Sequence, residues 1–102
     1  MKRLVVQRRA MRDLTDARAY YRREAPQMVA EFASTIDAEL IHLRQHPRTG
    51  SPRYGFLLKM PGLRSWPVKR FPYVILFFDQ GDHLLVLRVL HQAQDIPAHL
   101  EL

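Results

Sequence analysis

Tyr73-Val74-Ile75-Leu76-Phe77-Phe78-Asp79-Gln80-Gly81-Asp82-His83-Leu84-Leu85-Val86-Leu87-Arg88-Val89-Leu90-His91 is the stretch that decides the fold of this chain. Two runs rich in β-branched, aromatic and leucine residues, Phe71 to Phe78 and Leu84 to His91, read as strands. Asp79, Gln80, Gly81 and Asp82 supply turn chemistry between them, and so short a connection requires an antiparallel hairpin. A strand with one solvated face alternates apolar and polar residues, yet Val74 to Phe78 do not alternate at all. In the second strand, alternation gathers Leu84, Val86, Arg88 and Leu90 on one face and Leu85, Leu87 and Val89 on the other. Both faces of this sheet therefore need cover.

Working outward, Leu63 to Lys69 reads as a third strand of the same meander. Ahead of it, residues 47–62 hold Pro47, Gly50, Pro52, Gly55, Pro61 and Gly62, the composition of an ordered loop. Met28, Val29, Phe32, Ile36, Leu40 and Leu43 recur at helical spacing and predict a helix over about 27–46, opened by Pro26 and stopped at His46-Pro47. Ala10, Met11, Leu14, Ala17 and Tyr21 predict another over about 9–24, and so tight a joint makes the two an antiparallel hairpin. Leu4, Val5 and Val6 predict a short first strand over about 3–7. The expected architecture is α+β, in the order β-α-α-β-β-β, with the helical hairpin packed on a mainly antiparallel twisted sheet. A length of 102 residues gives room for a single domain, 1–102.

Composition narrows the function. Without cysteine there is neither a disulfide framework nor a thiolate metal site, which fits a cytoplasmic protein. No signal-peptide core follows Lys2 and Arg3, and no apolar stretch is long enough to span a membrane. A formal charge of +6, with 13 arginines among the 16 cations, suits anionic partners. Arg8, Arg12, Arg18, Arg22 and Arg23 make the first helix basic, either as a solvated face or as a contact face.

Other candidate sites are weak. His42 and His46 have metal-ligand spacing, but no glutamate intervenes as in HExxH, and a cationic helix end accounts for them. Asp79 and Asp82 flank a turn glycine, where aspartate is ordinary. Ser34, Ser51 and Ser65 lack a nucleophile-elbow context, and no phosphate-binding glycine loop implies a nucleotide cofactor. No cofactor and no metal are expected. Arg88 is the unusual residue, a charge within an apolar strand; it is expected to meet Asp95, Glu101 or a carboxylate of a partner.

Three segments carry a resemblance: Gly62-Leu63-Arg64-Ser65-Trp66-Pro67-Val68, Tyr73 to Phe78, and Arg88-Val89-Leu90-His91-Gln92-Ala93-Gln94-Asp95-Ile96-Pro97. They resemble the carboxyl half of ParE toxins, in the RelE/ParE superfamily of type II toxin–antitoxin systems. The opening Arg3 to Ala10 and the hairpin broken near Pro26 are similar too; Gln92, Gln94 and Phe77 depart from the family's usual glycine, arginine and tyrosine. The resemblance implies a toxin silenced by a ParD-like antitoxin, whose ribbon-helix-helix half binds operator DNA and whose acidic or amphipathic carboxyl-terminal segment wraps the toxin. Released, such toxins poison DNA gyrase. Operator DNA would then be met only through the antitoxin.

Within that frame the antitoxin is one candidate for the missing sheet cover, meeting Val74, Leu76, Phe78, Leu84, Val86, Arg88 and Leu90. The other candidate is the chain itself, with the Pro47–Gly62 loop and the carboxyl tail folded over. Arg8, Arg12, Arg18, Arg22 and Arg64 are candidate target-binding residues. The rival class is a RelE-like ribosome-dependent mRNA endonuclease, for which Arg64, Lys69, Arg88 and His91 would have to gather into a catalytic set. Val74 stands where RelE-like sequences tend to carry a catalytic arginine, and His99 or Leu100 near their tyrosine, so much of that set is missing and no catalytic residue is expected.

Overall fold

The computed structural model describes residues 1–100, and its elements run β1 (Arg3–Val6), α1 (Arg8–Glu24), a 3-10 turn (Pro26–Met28), α2 (Val29–Gln45), α3 (Arg53–Leu57), β2 (Leu63–Pro67), β3 (Tyr73–Asp79), β4 (His83–His91) and α4 (Ile96–Leu100). The four strands form one sheet in the order β1-β4-β3-β2. β2, β3 and β4 are an antiparallel meander, and β1 lies parallel to β4, with Leu4 opposite Leu84 and Val6 opposite Val86. The α+β architecture and its element order are those expected from the sequence.

The helical hairpin covers one face. Ala10, Leu14 and Ala17 of α1 and Phe32, Ile36, Leu40 and Leu43 of α2 are buried against Tyr73, Ile75 and Phe77 of β3 and Leu84, Val86 and Val89 of β4. An aromatic cluster locks the far end, where Phe32 meets Phe71 at 5.2 Å and Tyr73 at 5.5 Å between ring centroids. The stripe expected on α1 is right except at Met11, which is 54% exposed because the contact face of the helix is narrower than its apolar spacing suggests. α2 places Glu31 in its first turn and His42 and Arg44 in its last, which complements the helix dipole.

The second face is covered by the chain itself. Leu63, Val74, Leu76, Leu90, Ile96 and Leu100 form a separate buried cluster, with Tyr54, Leu58, Met60, Phe78 and Leu87 packed on it. The segment expected to be loop over 47–62 contains the helix α3, and the tail forms α4; together they supply the layer that the two long helices cannot. Gly50 is needed where this segment crosses the sheet edge. Its φ is +97°, and a Cβ there would lie 2.7 Å from the Ser65 carbonyl oxygen.

One irregularity reorganises β4. The ladder shifts between Leu76 and Phe77: Phe77 faces Val86 and Leu76 faces Arg88, so Leu87 is the extra residue of a β-bulge. Leu84, Val86 and Val89 therefore share the helix face, while Leu87 and Leu90 share the other. Uninterrupted alternation had put Leu84 and Val86 on one side with Leu90, and the bulge overturns that grouping.

Candidate functional site

Arg88 is where the sheet, the first helix and the tail are joined. It is only 9% exposed, and its Nε and Nη2 donate to the two carboxylate oxygens of Asp13 on α1 at 2.8 and 3.0 Å. The same Asp13 carboxylate accepts the backbone N–H of Val89 at 2.9 Å, and Arg88 Nη1 donates to the His99 carbonyl oxygen at 3.0 Å. The geometry has a cause in the topology. β1 pairs with β4 only as far as Val86, so the Val89 amide faces an edge that β1 has left, and Asp13 fills the place of the missing strand. The hydrogen bonds that the guanidinium donates to Asp13 hold it charged and raise its pKa. The carboxylate expected for Arg88 is thus Asp13 rather than Asp95, which instead accepts from the Ala98 amide at the start of α4; Glu101 lies outside the described residues.

The seven residues expected to face the antitoxin divide between two layers. Leu84 and Val86 lie under the helices, 0% and 1% exposed. Val74, Leu76 and Leu90 lie on the second face but are buried beneath α3, α4 and the segments joining them to the sheet. Arg88 is bound as above, and Phe78 remains half-buried. In this conformation the set is not a surface: the long helices cover Leu84 and Val86, and of the two candidate covers for the second face it is the chain's own central segment and tail that lie over Val74, Leu76 and Leu90.

The candidate nuclease residues do not converge. Arg64 on β2 stands opposite Phe77, toward the helix side, and Nη1 donates to the Gly50 carbonyl oxygen. Lys69 is exposed in the turn after β2. Arg88 stands opposite Leu76 on the other face, while His91 stands opposite Tyr73 at the end of β4, ring against ring at 5.2 Å. The His91 Nδ1 accepts the Ala93 amide and so closes a turn. A cleft of about 300 Å³ between α3 and α4 is lined by Ser51, Arg53, Tyr54, Ser65, Gln92 and Ile96 among others, and none of the four candidates lines it.

The arginines of α1 are grouped differently. Arg8, Arg9, Arg12, Arg22 and Arg23 are exposed and Arg18 is half-exposed, and no side chain of the described residues forms an ion pair with any of them. Arg64 stands apart from this ridge, on β2. His42 and His46 form no metal site: among the described residues no group of three or more His, Asp or Glu side chains is placed to hold an ion. His42 instead stacks on Trp66 at 4.9 Å, and the Trp66 indole N–H donates to the buried Glu39 carboxylate. Among the described helices none is long and apolar enough to cross a membrane.

A sequence profile described as the ParE toxin of the type II toxin–antitoxin system parDE matches residues 4–96. The chain belongs to the ParE toxin family. Among solved structures it is similar to a chain from the chromosomal ParDE TA system of P. aeruginosa, at a TM-score of 0.74 and 23% identity. That match covers 89% of this chain and 96% of the other, so the ParE fold is preserved over almost the full length. No curated protein matches the sequence. The ParE motifs have structural roles here: Arg64 and Ser65 belong to the edge strand β2, and Arg88 to the Asp13 pair. Sequence reasoning missed Asp13 because nothing local marks it; it lies 75 residues from Arg88.

Proposed function

We propose that this ParE-family chain is the toxin of a ParDE-type pair, held silent by direct binding of a ParD-like antitoxin and, once released, poisoning DNA gyrase and arresting growth by blocking replication. It works in the cytoplasm, where both partners would be found, and meets operator DNA only through the antitoxin. Family membership over residues 4–96 supports the pairing. The observation favouring a non-catalytic poison over mRNA cleavage is the scatter of Arg64, Lys69, Arg88 and His91 over two faces and a turn, since phosphodiester cleavage needs its acid, base and charge-stabilising groups around one reacting centre. The arginine ridge of α1, with Arg8, Arg12, Arg18 and Arg22, supports a target contact made by long-range attraction and phosphate or carboxylate pairing; Arg64 would act separately, from β2.

The deciding experiment adds purified chain in parallel to a gyrase supercoiling and cleavage assay and to cell-free translation with primer-extension mapping of the message. Gyrase inhibition with intact message is the expected outcome. Codon-linked cuts in the message would establish the RelE-like endonuclease in its place, and silence in both would leave a binding module without a toxic target.

A further inference from the structure

We infer that the outer edge of β1 is the docking site for an extended, acidic segment of the antitoxin, which adds there as a fifth strand. The inference rests on the toxin–antitoxin reading above and specifies where and how the partner binds.

The two edges of the sheet are treated oppositely. At β2 every outward amide has been dealt with: Leu63 N–H donates to the Met60 carbonyl, Ser65 N–H donates to the Ser51 carbonyl, and Pro67 has no N–H. At β1 the Gln7 N–H donates to the Val86 carbonyl, so by strand alternation Arg3 and Val5 also turn their backbone groups toward β4, and Leu4 and Val6 turn theirs away. Lys2 is engaged on that side, by Arg44. The amides and carbonyls of Leu4 and Val6 have no partner among the described residues, which leaves a short ready-made template for another strand.

A second observation places the same edge beside incompletely covered apolar surface. Val5, Leu85, Leu87 and Phe78 lie on the face opposite the long helices, and all four stay half-buried where their neighbours Leu76 and Leu90 are buried outright. α3 and α4 cover the middle of that face and stop short of this strip. A cavity of about 150 Å³ lined by Gln7, Arg9, Met60, Leu87 and His99 marks where they stop. Charge sets the chemistry of the occupant. Arg3, Arg8 and Arg9 are exposed at the two ends of β1, and among the described residues the only acid paired with them is Asp82, 3.9 Å from Arg3 and itself exposed. An extended segment with carboxylates at its ends and apolar side chains toward Val5 and Leu87 satisfies all three features, as strand addition takes affinity from the backbone and specificity from alternate side chains.

Amide exchange read residue by residue tests this on the full chain, alone and in complex with its full-length cognate ParD-type antitoxin. In the free chain Leu4 and Val6 exchange fast while Val5 and Gln7 are protected; in the complex Leu4 and Val6 slow by roughly tenfold or more. The paired charge reversal Arg3→Glu with Arg9→Glu weakens capture of the antitoxin by about tenfold and leaves the melting temperature unchanged. A complex in which Leu4 and Val6 keep their free exchange rates would overturn the edge assignment and leave the toxin–antitoxin pairing intact. Absence of any complex would remove the pairing itself, and the inference with it.

Discussion

Asp13 on α1 receives both the Nε and the Nη2 of Arg88 on β4, and with the same carboxylate it receives the Val89 amide that β1 leaves unpaired. One side chain thus settles a buried charge and an open strand edge. Removing either partner strands the other in a poorly hydrated place, at a cost of about 3 kcal/mol or more. Asp13→Ala is expected to lower the melting temperature by roughly 12 °C or more for a chain of this size. Arg88→Leu should cost less, because Asp13 keeps the Val89 amide. The double variant Asp13→Ala with Arg88→Leu should be more stable than the sum of the single losses implies, measured as a double-mutant cycle in urea.

Two cores on opposite faces, the larger under the long helices, make a second prediction. Leu84→Ala, under the helices, and Leu76→Ala, under α3 and α4, both remove fully buried side chains and should each cost about 2–5 kcal/mol in denaturant unfolding. Phe56 on α3 is 79% exposed, and Phe56→Ser should stay within about 0.5 kcal/mol. A Leu76→Ala variant as stable as the parent would mean that the second layer is not part of the fold.

The carboxyl of Asp79 is held below its ordinary value chiefly by the hydrogen bond from the Lys2 ammonium, helped by the Gly81 amide. A depressed folded pKa means that the unfolded chain binds the proton more readily. The stabilisation is therefore complete above the ordinary carboxyl value of 3.8 and is lost as the pH falls below it through the folded value. Asp79→Asn should lose this contribution at neutral pH and show a shallower decline in stability on acidification than the parent. Thermal melts at pH 7 and across the acid range compare the two directly; parallel curves would sever the link between Asp79 and acid sensitivity.

Trp66 is the single tryptophan, and its indole N–H is held by Glu39 while its ring stacks on His42. Trp66→Phe leaves the Glu39 carboxylate buried without this donor and should destabilise by about 1–3 kcal/mol. The emission of Trp66 reports the same contact: His42→Ala should change its intensity, because a stacked neighbour is removed, while the helix content by circular dichroism stays constant.

Much of the architecture was legible because its signals are local. The unbroken apolar run Val74 to Phe78 announced a strand buried on both sides, and β3 is buried so; the stripe from Phe32 to Leu43 announced the inner face of α2. What failed to show was whatever depends on distant pairing. The bulge at Leu87 comes from how β4 must satisfy β3, and it reverses the sidedness of Leu84 and Val86 relative to Leu90. The cover of the second face was divided evenly between the chain and a partner, since a proline- and glycine-rich stretch gives no periodicity from which to foresee α3. For Arg88 the sequence offers Asp95, Glu101 or a partner's carboxylate, and the topology instead brings Asp13 to it. The open edge of β1 needs the strand order, which no stretch of sequence spells out.

The bulge has a consequence for how the gene can change. Leu87 and Arg88 share a face, so loss of either would restore an even ladder, but Arg88 carries the Asp13 pair, which leaves Leu87 as the residue that can go without breaking that pair. Loss of a codon elsewhere in β4 would turn half the strand over and drive Arg88 toward the helices or Val89 toward the tail. Length variation in this strand is accordingly tolerable at a single address, where one supernumerary leucine acts as slack between two oppositely phased halves.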